Sequence, residues 1–271
     1  MNRWKTHIKK TLNLLLPLPV KSALQRFNVK RITKGACEGL KIYAYGALPE
    51  YVNGSYELPL QKVLSELLTP GNVFYDIGAN FGFFTLLAAR KVGLGGHVYA
   101  FEPIAANAAR IRLNVRLNRF DQVSVIEKAV SDNTGIEDIW VTRFAGGATL
   151  ASTDIIPEDA IRKISVDTIR LDEMVEAKIL RPPTLLKIDV EGAEMQVLEG
   201  MAGTLAKYRP FIVYEIDDGQ EREFSKKVKD TQSLLRDLGY LIDRLEDSYT
   251  QENWLISHFV ARPGKRNRPV A

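Results

Sequence analysis

The stretch VFYDIGANFGFFTLLAARKVG, residues 73–93, constrains the fold more than any other. Val73 to Ile77 is apolar except for Asp76, which suits a strand buried on both faces. Gly78, Asn80 and Gly82 follow, and apolar residues then continue at helical spacing from Phe83 to Val92. A strand that turns through spaced glycines into a helix reads as half of a βαβ unit. The pattern recurs along the chain. Leu58–Leu68 is expected to be a helix, His97–Phe101 a strand, Ala105–Leu117 a helix and Val123–Val130 a strand. Leu171–Ala177 follows as a short helix, Thr184–Val190 as a strand, Ala193–Leu205 as a helix, Phe211–Ile216 as a strand and Ser225–Leu238 as a helix. Such alternation predicts an α/β fold with a parallel sheet covered on both faces. Tyr240–Leu245 and Trp254–Ala261 have no helix between them and are expected to form an antiparallel hairpin at one edge. Residues 131–170 are less regular, with β-like pieces at Asp138–Thr142 and Ile164–Ile169.

Charge divides the chain unevenly. The net charge is +4, yet residues 1–35 contain nine Lys/Arg and no acid, which leaves the remainder acidic. The basic pI therefore argues little for nucleic-acid binding by the body. The expected organisation is a basic extension over 1–45, one domain over 46–262 and a basic, frayed tail over 263–271. In the head, Trp4, Ile8, Leu12, Leu15 and Leu16 share one helical face with lysines outside it. That suits peripheral contact with an anionic membrane through residues 1–35, or a helix packed on the body. No stretch reaches the roughly 20 apolar residues of a spanning helix. Cys37 is the only cysteine, so no internal disulfide forms, which fits a cytoplasmic location.

In an open parallel sheet, ligands bind beyond the carboxyl ends of the strands. Asp76 stands near the end of the first strand, Gly78 and Gly82 permit a tight turn, and Glu102 ends the next strand, where an acid can accept ribose hydroxyls. A dinucleotide fingerprint would need a third glycine, but Thr85 and Leu86 follow. Asp76 beside the turn also disfavours a pyrophosphate. S-adenosylmethionine, with an ammonium, a ribose and no phosphate, suits these residues better.

GSYEL (54–58), VFYDIGANFGFFT (73–85), VYAFEP (98–103), LNVRLN (113–118), KAVSDNTG (128–135), TLLKIDVEGAEMQVLEG (184–200) and RPFIVYEI (209–216) occur in an order that resembles the FkbM-family methyltransferases. The resemblance covers roughly residues 50–220. It implies a Rossmann-like class I methyltransferase fold with a mostly parallel seven-stranded sheet. It also implies S-adenosylmethionine as methyl donor and a hydroxyl acceptor on a sugar, glycan or glycosylated natural product. Carried over by motif, Asp76, Gly78, Asn80 and Gly82 would serve the methionine end of the donor, with Thr85 and Pro103 also among the donor-binding residues. Glu102 would serve its ribose, and Ala129, Val130 and Ser131 would lie near its adenine. Glu57 is similar to a family glutamate that would face the donor's amino group.

Methyl transfer to an alcohol needs an aligned nucleophile and a group to take its proton. Lys187 and Asp189, two apart on a strand, share a face, and Glu191 and Glu194 follow at the next helix. Glu194 fits a helix-dipole role equally well. Glu215 ends the following strand, and Asp217 comes just after it. Asp189 and Glu215 could lie close enough to hold Mg²⁺ or to raise one another's basicity. A metal-independent carboxylate base among Asp189, Glu191 and Glu215, with Lys187 beside them, is the expectation. His97 and His258 are expected to be structural, the latter on an edge strand, and His7 belongs to the head. Ala145–Thr149 is expected to be a lid or a plain loop. An amine or RNA acceptor, a non-catalytic scaffold and an NAD-dependent oxidoreductase are the competing readings.

Overall fold

The structure, a computed structural model, describes residues 28–142, 148–150, 160–249 and 254–264. In chain order the elements begin with β1 (Val29–Arg31), β2 (Lys41–Tyr43), α1 (Pro49–Asn53), α2 (Leu58–Leu67), β3 (Val73–Ile77), α3 (Phe83–Val92), β4 (His97–Phe101) and α4 (Ala105–Asn118). Then come β5 (Val123–Ile126), β6 (Ala129–Val130), β7 (Gly135–Thr142), β8 (Ala148–Leu150), β9 (Ala160–Ile169), α5 (Leu171–Glu176) and β10 (Leu185–Ile188). The chain closes with α6 (Glu194–Glu199), α7 (Ala202–Tyr208), β11 (Phe211–Asp218), α8 (Glu221–Asp237), β12 (Tyr240–Arg244) and β13 (Leu255–Pro263).

Seven strands form the central sheet in the order β12-β13-β11-β10-β3-β4-β5. Pairings from β11 through β5 are parallel, and β13 runs antiparallel to both β11 and β12. This is the expected α/β arrangement with its C-terminal hairpin. All five residues of β3 are buried, as the apolar run demanded. Tyr75 and Ile77 pack with Val197, Leu205 and Leu235 on one face, while Phe74 packs with Leu60, Leu64 and Leu86 on the other. From β3 the chain moves out through β4 and β5, then returns to the other side of β3 as β10 and β11. That reversal opens a crevice at the carboxyl end of β3, where ligands of open α/β sheets bind.

Three regions differ from expectation. Packing begins before residue 46: Ile32, Cys37, Leu40 and Ile42 are buried in the same core as α2 and α3. The β1–β2 hairpin exposes Lys30, Arg31 and Lys34 and buries the apolar residues between them. The Oδ1 atoms of Asn114 and Asn118 accept the Tyr43 and Lys41 N–H groups at 2.7 and 2.8 Å, fastening the hairpin to α4.

The expected strand Val123–Val130 is two strands, with β6 leaving for a second, four-stranded sheet of order β6-β9-β7-β8. This sheet organises much of the irregular region. Its Ile139 and Val166 pack with Ile104 and Ala193 to form one wall of the crevice. The expected helix Ala193–Leu205 is interrupted at Gly200, where a Cβ would lie 2.1 Å from the Ser131 carbonyl oxygen. Gly200 itself keeps helical angles, and the break comes at Met201, whose φ of −132° leaves the helical region before α7 starts.

The amphipathic helix expected in the head and His7 lie outside the described residues. So do residues 143–147, and with them the first three residues of the Ala145–Thr149 segment, and the tail beyond Gly264. Among the described residues no helix is long and apolar enough to cross a membrane.

Candidate active site

The crevice begins with backbone. Gly78 adopts φ +76°, and a Cβ on it would meet the Asp189 carbonyl oxygen at 1.7 Å. Only glycine allows the β3–α3 turn to touch the end of β10 this closely. The Gly78 and Ala79 N–H groups donate to the Phe101 carbonyl at 3.1 and 3.0 Å, tying the turn to β4. Gly82, also left-handed, caps α3 without a side-chain cap.

Glu102 follows β4 and is 4% exposed. Its Oε2 accepts the Asn80 N–H at 2.8 Å, and its Oε1 accepts the Ile104 N–H at 2.9 Å and the Asn107 amide at 3.4 Å. Burial pushes its carboxyl up to about 7 despite these donors. Glu102 lines a cleft together with Gly78, Asn80, Pro103, Ala129, Val130 and, at the end of the neighbouring strand on the other side of β3, Asp189 and Glu191. Lys128, Ile139, Val190 and Ala193 complete much of its wall and were not singled out by sequence. Lys128 and Ile139 are brought there by β6 and the second sheet, whose pairing no local pattern revealed.

Several expected donor-side residues lie elsewhere. Asp76 is fully buried beneath the turn. Thr85 Oγ1 donates to its Oδ2, and its Oδ1 is 3.8 Å from Lys187 Nζ. Both residues therefore brace the turn from below, because β3 points Asp76 into the layer under α3. Ser131 is buried and donates to Glu137 Oε1 at 2.9 Å, away from the cleft lining formed by Ala129 and Val130.

Lys187 and Asp189 do share a face, with Lys187 Nζ donating to Asp189 Oδ2 at 2.9 Å and to the Gly78 carbonyl at 3.3 Å. Burial opposes the charge on Lys187, but Asp189 and Asp76 hold its ammonium above the usual range. Acids gather at this end of the sheet. Glu191, with φ +56°, has its carboxyl well above the usual range through burial and the nearby Asp217, Asp189 and Glu215. Glu194 accepts the Gly192 N–H at 3.0 Å, and burial together with Asp217 pushes it up to about 7.

Glu215 does not pair with Asp189, although it feels that charge. It faces His258 across the β11–β13 ladder, with Oε2 2.7 Å from His258 Nε2. β13 lies between β11 and β12, so His258 is in an interior strand and only 3% exposed, contrary to the edge placement expected. Glu57, expected at the donor, approaches the same Nε2 of His258 at 3.6 Å and receives the Tyr249 hydroxyl. Burial works against a charged His258, but Glu215 and Glu57 prevail and its pKa is pushed up to about 10. Burial, with Asp189 adding to it, pushes Glu215 up to about 8.

A reversing parallel sheet, a glycine turn beneath the cleft, an acid at the end of the second strand and acids opposite it together define a Rossmann-like methyltransferase fold. The chain matches the Methyltransferase FkbM domain over residues 76–242, and it belongs to that family. It is 32% identical over 200 residues to the 2-O-methyltransferase NoeI of Sinorhizobium fredii, covering 67% of this chain and 80% of NoeI. It is 26% identical over 194 residues to the hexuronic acid methyltransferase AglP of Haloferax volcanii, covering 69% and 76%. Similarity to the AMB antimetabolite synthetase AmbE of Pseudomonas aeruginosa is 30% over 234 residues, 73% of this chain but only 11% of AmbE. The crystal structure of a methyltransferase FkbM from Methylobacillus flagellatus superposes with TM-score 0.50 at 16% identity, over 75% of this chain and 50% of that one. The last similarity concerns the fold alone.

Proposed function

We propose that this methyltransferase is S-adenosylmethionine-dependent and methylates a hydroxyl of a sugar, glycan or glycosylated small molecule. The observation that carries the reading is the pairing of two unlike walls in one cleft, a buried Glu102 on one side and Asp189 with Glu191 on the other. The donor set fits the cofactor. An ionised carboxylate has about four acceptor positions, and the three contacts to Glu102 leave capacity for a ribose hydroxyl. Asn80, Pro103, Ala129 and Val130 would complete the donor's surroundings. When bound, the cofactor supplies an electrophilic methyl group on a sulfonium.

The chain's own task is then to position an acceptor oxygen and take its proton. Asp189 Oδ2 is held by Lys187, which fixes the carboxylate and leaves Oδ1 to accept from a hydroxyl. Glu191 and Glu215 supply further acceptors nearby, with pKa values raised toward those of useful bases. Trp254, 54% exposed, donates its indole N–H to Asp217 Oδ2 at 2.8 Å and presents a flat apolar surface beside these acids. That combination suits a sugar ring. The concentration of acids disfavours a phosphate-rich acceptor such as RNA. The names of NoeI and AglP support O-methylation and a sugar acceptor, respectively.

The test is methyl transfer from labelled S-adenosylmethionine to a panel of neutral glycosides, with RNA and simple amines alongside. Transfer to glycosides and not to RNA is expected. Transfer to RNA or to an amine alone would overturn the acceptor assignment.

A further inference from the structure

Glu57, Glu215 and His258 come from three separate places: the turn before α2, the end of β11 and the middle of β13. One ligand atom from each lies within 4.8 Å of the other two. Glu57 and His258 are 4% and 3% exposed. His258 Nε2 is close to both carboxylates, at 2.7 Å from Glu215 Oε2 and 3.6 Å from Glu57 Oε2, yet neither approach has the alignment of a good hydrogen bond, and Glu57 Oε2 has no other donor. Proximity without aligned hydrogen bonds leaves two buried polar atoms converging on a common point. A buried polar atom without a partner is costly, so this geometry asks for a further atom between them. Tyr249 donates to Glu57 Oε1, which fixes that carboxylate with its other oxygen turned to His258.

We propose that Glu57, Glu215 and His258 form a binding site for one divalent transition-metal ion of the Zn²⁺ or Mn²⁺ class. Two carboxylates balance the dication, and the imidazole selects against Ca²⁺ and Mg²⁺, which prefer all-oxygen shells. Three protein ligands leave a coordination position open, as in catalytic rather than structural sites. The Tyr249 hydrogen bond orients a ligand in the way outer partners of metal sites do. Ile188 pairs with Tyr214, which places Glu215 beside Asp189 at the ends of adjacent strands. The ion would therefore stand on the side of Asp189 away from Glu102, where the acceptor enters. A Lewis acid there would lower the pKa of an acceptor hydroxyl. This catalytic consequence rests on the function proposed above; metal binding itself does not.

The experiment uses the full chain, stripped with chelator and titrated with MnCl₂ followed by electron paramagnetic resonance, and with ZnCl₂ by calorimetry. Stoichiometric binding to the wild type is expected. His258→Asn should lose it by a hundredfold or more, and Tyr249→Phe, which keeps all three ligands, should weaken it roughly 10–100-fold. Circular dichroism checks that both variants fold. No binding to the wild type, or equal affinity in wild type and Tyr249→Phe, would overturn the site and leave the cluster as an ion pair. S-adenosylmethionine is titrated in parallel. Donor binding without metal binding would remove this inference and keep the proposed function, whereas metal binding without donor binding would do the reverse.

Discussion

Replacing Lys187 with methionine tests the electrostatic frame beneath the cleft. Lys187 is 3% exposed, with Asp189 at 2.9 Å and Asp76 at 3.8 Å. Methionine fills a similar volume, so the change is chiefly one of charge. Asp189 retains some solvent contact, its side chain being 19% exposed, and can rehydrate. Asp76 cannot: it is 0% exposed, and its Oδ1 already lacks a hydrogen-bond donor. Removing one partner of a buried pair costs about 3–5 kcal/mol, and most of that cost should fall on Asp76. The double variant Asp76→Asn/Lys187→Met has no stranded charge and should recover most of the loss.

Urea unfolding of the wild type, both single variants and the double variant gives the coupling directly. The pH dependence has a definite sign. Burial already holds the Asp76 carboxyl above its usual value while Lys187 opposes it, so the Lys187→Met variant raises it further. A carboxyl raised in the folded state contributes stability below its unfolded pKa of about 4 and loses it as pH rises through the folded value. The deficit of the variant should therefore widen from acid to neutral pH. A loss below about 1 kcal/mol at neutral pH, against the roughly 3 expected, or a double variant no more stable than Lys187→Met, would refute this reasoning.

Donor affinity should depend on Glu102, whose carboxyl burial pushes up to about 7. The ionised form accepts hydroxyls, so affinity measured by calorimetry should fall below that pH and level off above it; equal affinity across the range would contradict the role. Gly78→Ala adds about 1–2 kcal/mol of left-handed strain and about 1–3 kcal/mol of overpacking against the Asp189 carbonyl. An unchanged urea midpoint would contradict the close approach. Asp189→Asn should keep donor binding and lose roughly 10²–10⁴-fold in turnover, read by single-turnover methyl transfer; wild-type turnover would remove Asp189 from the mechanism.

Much of the fold was legible because its signals are local. VFYDI is apolar enough to name a central strand, and the helical spacing after Gly82 is plain. Gly78 was legible as a turn, but not its contact with Asp189, which depends on how β3 lies beside β10. The second sheet was poorly legible because β7 and β9 carry many exposed or half-buried residues and show little clean alternation. Asp76 read as a ligand contact because its motif faces a cofactor turn, and only the packing shows that it points beneath. His258 was misplaced because its environment is made by register. Glu215 opposite His258 and Tyr249 on Glu57, 192 residues apart in sequence, are pairings no local window contains.

The central claim is that the cleft between Glu102 and Asp189 binds S-adenosylmethionine. Calorimetric titration of the full chain with S-adenosylmethionine, with NAD as control and Glu102→Ala as the variant, tests it most directly. The account predicts binding of the methyl donor, none of NAD and loss of donor binding in the variant. Absence of donor binding to the wild type, or affinity unchanged in Glu102→Ala, would contradict it.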